Sequence, residues 1–200
     1  MAIAKSSIGV FGGSFDPPHV GHLMIAEQAK QELMLEKVLF VPAFIAPHKA
    51  NGTSASAEHR VRMLRLAIKG NPAFKVSTIE LDRKGISYTV DTLAEVQRQF
   101  PAAELFLIIG SDNLLDFQTW KSPREILGMS RLAVYERKGI RKTTVPDRSM
   151  PPAIRLTGDF IDVSSTTIRS KIRQGKSIRY LVPEAVEKYI IDHRLYRSQA

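Results

Sequence analysis

Cysteine is missing from all 200 residues. That absence rules out disulfide staples, thiolate nucleophiles and cysteine-ligated zinc, and it suits a reducing cytosol. Long apolar runs are missing as well. The most apolar window, 38–47, is too short to span a bilayer and holds two prolines. Residues 1–7 hold one lysine and no apolar stretch, so no secretory leader is expected. Tryptophan occurs once. Acid is in deficit: 20 Asp and Glu stand against 29 Lys and Arg, a formal charge of +9. Two common phosphate motifs are absent. No Gly-x-x-x-x-Gly-Lys-Ser/Thr occurs, which excludes a P-loop, and no Gly-x-Gly-x-x-Gly follows a strand.

The rest of the composition is ordinary. Apolar residues make 44% and charged residues 24%, as in a globular protein with a real core. The length suits a single domain over 1–200. Much of the basic excess lies between Arg137 and Arg179. Aromatic residues do not alternate with it as a base-stacking platform would require. Part of the charge therefore reads as a site for small phosphorylated ligands, and part as solvated surface.

One stretch organises the chain: Gly9-Val10-Phe11-Gly12-Gly13-Ser14-Phe15-Asp16-Pro17-Pro18-His19-Val20-Gly21-His22-Leu23. Ile8, Val10 and Phe11 are β-prone. Gly12 and Gly13 remove two side chains, so backbone amides can approach a ligand. Pro17 and Pro18 suit a helix entry. His19 and His22, three apart, share one helical face. A helix start with free amides and a positive dipole end is an anion site, and a phosphate chain is its simplest ligand.

Taken in order, the pattern predicts strand 7–13, helix 18–34 and the buried strand 37–44. A turn-rich loop, helix 58–69 and strand 74–80 come next. Leu23, Ile25, Ala26, Ala29, Leu33 and Met34 form the first helix's inward stripe. A helix capped by Ser87 or Thr89 then runs to Phe100, and strand 104–109 ends at Gly110. Ser122 and Pro123 start a short helix before strand 131–136. Two β-prone pieces follow, 154–156 and 160–163. Ser164 or Ser165 caps a helix that Gly175 ends, and a last helix covers 183–193. Alternating strands and helices imply an α/β, Rossmann-like parallel sheet, helices on both faces, and a small C-terminal helical part. In such a sheet Gly110-Ser111-Asp112, just past a strand, falls where ligands bind.

These motifs resemble those of bacterial nicotinate-nucleotide adenylyltransferases, in the nucleotidyltransferase superfamily. The likeness rests on Gly12 to His22, Pro47-His48-Lys49, Ser87 to Leu93, Ile108 to Asp112, Trp120, and Ser164 to Arg169. Ser14 departs from the threonine common there, and Val163 from an isoleucine. The resemblance implies transfer of the adenylyl group of ATP to nicotinate mononucleotide, giving deamido-NAD and pyrophosphate. It implies catalytic roles for His19, His22 and Arg169, with His22 foremost. ATP would be bound by Gly12, Gly13, Ser14, Phe15, His19, His22, Asp112, Ser164, Ser165, Thr166 and Arg169. The mononucleotide would meet Lys49, Trp120 stacked on its ring, and the amides of Tyr88 and Thr89 at its carboxylate. Phe15 also reads as core and Trp120 as partly buried core; Asp112 reads as a ribose ligand, as an aid to a metal-bound geometry, or as a helix cap, which is compatible with either role. Mg2+ is expected with ATP, held by phosphate oxygens and water, with no protein metal cage.

The partners expected are ATP and nicotinate mononucleotide, with neither nucleic acid nor membrane. The location expected is cytoplasmic, and a homo-oligomer stays open. Rival readings are an adenylyltransferase for nicotinamide mononucleotide or phosphopantetheine, a regulatory ATP-binding domain without turnover, and a basic nucleic-acid-binding module. Only the +9 charge favours the last.

Overall fold

The computed structural model describes residues 6–46, 53–136, 151–158 and 161–197. Six strands form one sheet: β1 (Ser7–Gly13), β2 (Lys37–Pro42), β3 (Phe74–Val76), β4 (Glu104–Gly110), β5 (Ser130–Tyr135) and β6 (Ala153–Arg155). Their order is β3-β2-β1-β4-β5-β6, and every pairing is parallel. The order reverses direction between β1 and β4. A parallel sheet opens a crevice at such a switch point, beyond the strands' carboxyl ends.

The strands are apolar on both faces because helices cover both. Val38, Phe40, Phe106, Ile108 and Ala133 pack on one side with Ile25, Ala26 and Ala29 of α1 (Val20–Glu32) and Leu64 of α2 (Ala57–Ala67). Their neighbours Leu39, Val41, Leu105, Leu107, Ile109, Leu132 and Val134 face the other way. They meet Val90, Leu93 and Val96 of α4 (Thr89–Gln99) and Ile126 of α6 (Pro123–Met129). This period of two is the pleat itself. Each fully buried Leu or Ile contributes roughly 1.5–3 kcal/mol. A smaller cluster joins Met63 of α2 to Ile168 of α7 (Ser165–Arg173) and to Val186 and Ile190 of α8 (Glu184–Asp192). The small C-terminal helical part therefore sits against α2.

Four local readings need correction. The third strand stops at Val76, and residues Ile79–Arg83 form helix α3. The alternation of Phe74 and Val76 does not continue: Glu80 is buried as a helical residue and accepts from the Thr92 hydroxyl at 2.6 Å. Met34 leaves the α1 stripe: it lies past the helix end, 83% exposed, at φ 52°. The residue at the α4 cap is Tyr88, with no side-chain cap bond, in place of Ser87 or Thr89. Of the piece 160–163, position 160 lies outside the described residues and 161–163 form no strand.

Candidate active site

The loop from β1 to α1 enters the crevice first. Phe15 adopts φ 49°, unusual for a bulky residue and tolerated where the surroundings over-determine it. Its ring is 2% exposed and lies edge-on to Phe11 at 5.7 Å and to His22 at 4.9 Å. Phe15 is thus core and site wall together. A Cβ on Gly13 would stand 3.1 Å from that ring, so Gly13 makes room for Phe15 as well as for a ligand.

His19 caps α1 and is buried; its ring stacks on His22 at 3.6 Å. The His19 backbone N–H donates to Nδ1 of His22 at 3.2 Å. A backbone amide can only donate, so Nδ1 is the acceptor and the His22 proton sits on Nε2. In this arrangement the ring turns its Nε2 N–H away from the helix start, where it can serve as a donor.

The second helix opening is α7. Ser164 caps it by accepting from the Thr167 amide at 3.1 Å. The amides of Ser165 and Thr166 precede the helix's own bonding and point out of its start. Two side chains of α7 then bind the first loop. Ser165 Oγ donates to the Pro17 carbonyl at 2.8 Å, and Arg169 Nη1 donates to the Asp16 carbonyl at 2.7 Å. Arg169 Nη2 also reaches Thr166 Oγ1 at 3.3 Å. Ser165 and Arg169 thus serve as staples between the two openings.

One cavity of about 510 Å³ takes in both. Gly12, Gly13, Ser14, Phe15, His19, His22, Tyr88, Thr89, Asp112, Trp120, Ser164, Ser165, Thr166 and Arg169 all line it. Lys49 lies outside the described residues. Beyond β4, Asp112 belongs to α5 (Ser111–Leu115). Its Oδ1 stands 2.3 Å from where a Gly110 side chain would begin, so only glycine at 110 lets that carboxylate fold back. Trp120 is half-buried against Phe117, ring centres 5.4 Å apart, and its Nε1 is buried without a partner among the described residues. The Tyr88 amide donates to the Ile86 carbonyl at 3.1 Å. Of the two amides expected to face a carboxylate, Thr89's is the one at the first position of α4. Lys121 braces this wall, its Nζ 4.6 Å from the Tyr88 ring centre and 3.1 Å from Asp91.

Three residues went unassigned in the sequence. Asp16 is buried and its carboxylate accepts from the amides of Ser54 at 2.7 Å and Ala55 at 3.1 Å, and from the Tyr196 hydroxyl at 2.7 Å. Arg60 of α2 is 1% exposed and donates to the Ser14 carbonyl at 2.9 Å. Burial pulls its guanidinium below the ordinary value, while Asp16, Tyr196 and Glu80 favour its charge. Burial, then the Asp16 charge and hydrogen bond, raise the Tyr196 hydroxyl, so it remains a donor. The available signal was an arginine on the inward face of α2, one turn before Leu64.

No three His, Asp or Glu converge as a metal site among the described residues, and no described helix is long and apolar enough to cross a membrane.

Known proteins bear on this site. The cytidylyltransferase-like family matches residues 10–171. A protein of Salinibacter ruber named "Probable nicotinate-nucleotide adenylyltransferase" is 42% identical over 191 residues, covering 96% of this chain and 98% of that one. One of the same name from Thermus thermophilus is 47% identical over 190 residues, covering 95% and 99%. The solved structure of Plasmodium falciparum nicotinic acid mononucleotide adenylyltransferase complexed with NaAD superposes with a TM-score of 0.77 at 20% identity, over 96% of this chain and 97% of that one. That last likeness shows the fold. The sequence relatives, similar from end to end, go further: the chain belongs to the nicotinate-nucleotide adenylyltransferase family.

Proposed function

We propose that the cavity joins ATP to nicotinate mononucleotide, in the reaction of NAD biosynthesis that yields nicotinate adenine dinucleotide and pyrophosphate. The observation that carries this reading is the pairing of two helix openings, at α1 and α7, around one cavity at the carboxyl ends of β1 and β4. The 5′-phosphate of the mononucleotide attacks the α-phosphorus of ATP. A new P–O bond forms there, the bond to the β-phosphate oxygen breaks, and pyrophosphate leaves. The nucleophile is already ionised, so no base and no covalent intermediate are required. Catalysis is then positioning together with stabilisation of spreading negative charge.

Each wall supplies part of that. His22 donates from Nε2 to a phosphate oxygen, with His19 stacked beside it. Gly12 to Phe15 offer amides on one side, and the Ser165 and Thr166 amides at the α7 start offer them on the other. Arg169 adds positive charge between the two. Asp112 faces the adenosine ribose. Lys49 we assign to the acceptor phosphate on the strength of its motif. Trp120 stacks on the pyridine ring, and the Thr89 amide, flanked by Tyr88, meets the nicotinate carboxylate. A charge-assisted bond there favours the acid over the amide.

A divalent ion, Mg2+ in our reading, would come with ATP and would supply neutralisation of the triphosphate charge. The lining fits that role: the Asp16 carboxylate already accepts three hydrogen bonds, and no cluster of carboxylates among the described residues forms a protein cage. We read residues 1–200 as one domain acting in the cytoplasm on small molecules, without nucleic acid.

Pyrophosphate release tests the proposal, with ATP, magnesium and, in parallel, nicotinate mononucleotide, nicotinamide mononucleotide and phosphopantetheine. Release is expected to be fastest with the nicotinate acceptor. Equal rates with acid and amide would remove the role given to the α4 amide, and release only with phosphopantetheine would overturn the reading.

A further inference from the structure

The phosphate loop has a feature that the substrate-facing residues do not explain. Its carbonyl oxygens at Ser14, Asp16 and Pro17 each accept a bond from a side chain of another element: Arg60, Arg169 and Ser165. Left unpaired, carbonyl oxygens beside a triphosphate would repel it. Here two of the three are held by guanidinium groups. The Asp16 carboxylate would be worse still, yet it is buried among donors, two amides and one hydroxyl. The hydroxyl comes from Tyr196, beyond the last helix, and the amides come from the segment leading into α2. Arg60 stands among these groups, 1% exposed, with a single hydrogen-bond partner among the described residues and its Nε buried without one.

We propose that Asp16, Arg60 and Tyr196 form a positioning unit that presets the 14–17 loop for the triphosphate of ATP. None of the three reaches a reacting atom; each acts through the loop. Asp16 gathers the loop, the entry to α2 and the segment after α8 onto one carboxylate. Arg60 holds the Ser14 carbonyl away from the anion and supplies the positive charge that lets Asp16 stay buried. Tyr196 completes the carboxylate's set of donors. The cost of ordering the loop is met during folding, so it is not drawn from ATP binding. The unit acts through the 14–17 loop, which under the proposed function faces the phosphates and not the pyridine ring, and this gives it a selective signature. This inference rests on the adenylyl-transfer reading above.

Tyr196→Phe is the decisive variant. It deletes one oxygen, with its bonds to Asp16 and to the Met63 sulfur, and leaves the ring packed on the cluster around Met63. A hydrogen bond to a charged acceptor is worth roughly ten- to a hundredfold in an equilibrium, of which the loop passes on the lower part to ATP. The KM for ATP is therefore expected to rise about five- to tenfold, while the KM for nicotinate mononucleotide changes by less than about twofold. KM does not depend on how many molecules are folded, so simple destabilisation does not move it. Arg60→Lys keeps a cation and loses the forked reach to Ser14, and is expected to raise the ATP KM further in the same direction. Should Arg60→Lys fail to fold, Tyr196→Phe alone decides. A lowered melting temperature with an unchanged ATP KM would reduce the unit to a structural one and overturn the proposal. Equal rises in both KM values would overturn it too. If the unmodified protein released no pyrophosphate from ATP and nicotinate mononucleotide, the functional reading would fail first, and that failure is seen before any variant is made.

Discussion

His22 gives its two nitrogens different work, and two substitutions separate them. Nδ1 accepts from the His19 amide and holds the start of α1; under the proposed function, Nε2–H is the donor that meets phosphate. An asparagine at 22 places an oxygen near the Nδ1 position and nothing near Nε2. A glutamine places its amide near Nε2 and leaves the His19 N–H without its acceptor. Both lose the ring contacts with His19 and Phe15, so that loss cancels between them. His22→Asn is expected to keep the cap and to lower kcat by about 10²–10³, the effect of removing one donor aimed at developing phosphate charge. His22→Gln is expected to lose about 1 kcal/mol of stability through the cap, and to keep more of kcat than His22→Asn does. Thermal melts and pyrophosphate release on the same preparations give both numbers. Near wild-type kcat in His22→Asn would refute the donor role. Rate losses that merely tracked melting temperature in both variants would refute the division of labour.

Two further outcomes follow from the packing. Trp120 stands half-buried against Phe117, and among the described residues its Nε1 has no partner to lose. Trp120→Phe is expected to cost little stability, while Trp120→Ala raises the KM for the mononucleotide about three- to tenfold and spares ATP, the scale of an aromatic stacking contact. An unchanged mononucleotide KM in the alanine variant would retire the stacking role. Glu27 provides a pH test away from the site. Burial raises its carboxyl, but hydrogen bonds from Lys30, Gln31 and Asn71 outweigh that and leave it below the ordinary value. A lowered folded pKa contributes stability above the unfolded value, and that stability is lost as pH falls through the folded one. Glu27→Gln should therefore narrow the stability gap between neutral and acid pH, measured by denaturant melts from pH 7 to pH 3. An unaltered slope would show that the Asn71 link to α1 carries no net weight.

What the sequence made legible follows from where the signal lies. β1, β4 and β5 each carry a continuous buried run, residues 8–11, 105–109 and 132–135, so these strands were visible without a partner in view. The two phosphate openings were legible for a related reason. A glycine pair followed by paired histidines, and a Ser-Ser-Thr ahead of an arginine, are local patterns whose chemistry is set within a few residues. The strand expected over 74–80 was too long because residues 79–80 open a helix whose Glu80 is buried through a hydrogen bond to Thr92, a partner the local pattern does not show.

The positioning residues were illegible for a deeper reason. Asp16, Arg60 and Tyr196 lie on three segments, and Arg60 and Arg169 bind backbone carbonyls. A carbonyl has no residue type, so no pairing pattern can be written between Arg60 and Ser14, or between Arg169 and Asp16. Arg169 shows the consequence. Its place one turn into α7 pointed to a phosphate ligand, and the guanidinium does stand at the cavity, yet its shortest bond goes to the Asp16 carbonyl at 2.7 Å. One side chain thus joins the two openings whose ligand, under the proposed function, its charge also meets. Arg169→Lys should accordingly loosen the α7 docking as well as weaken ATP, because a lysine replaces a planar fork with a single point of contact. Thermal melts and the ATP KM, read on the same variant, check both effects; a raised KM with an unchanged melting temperature would remove the docking role.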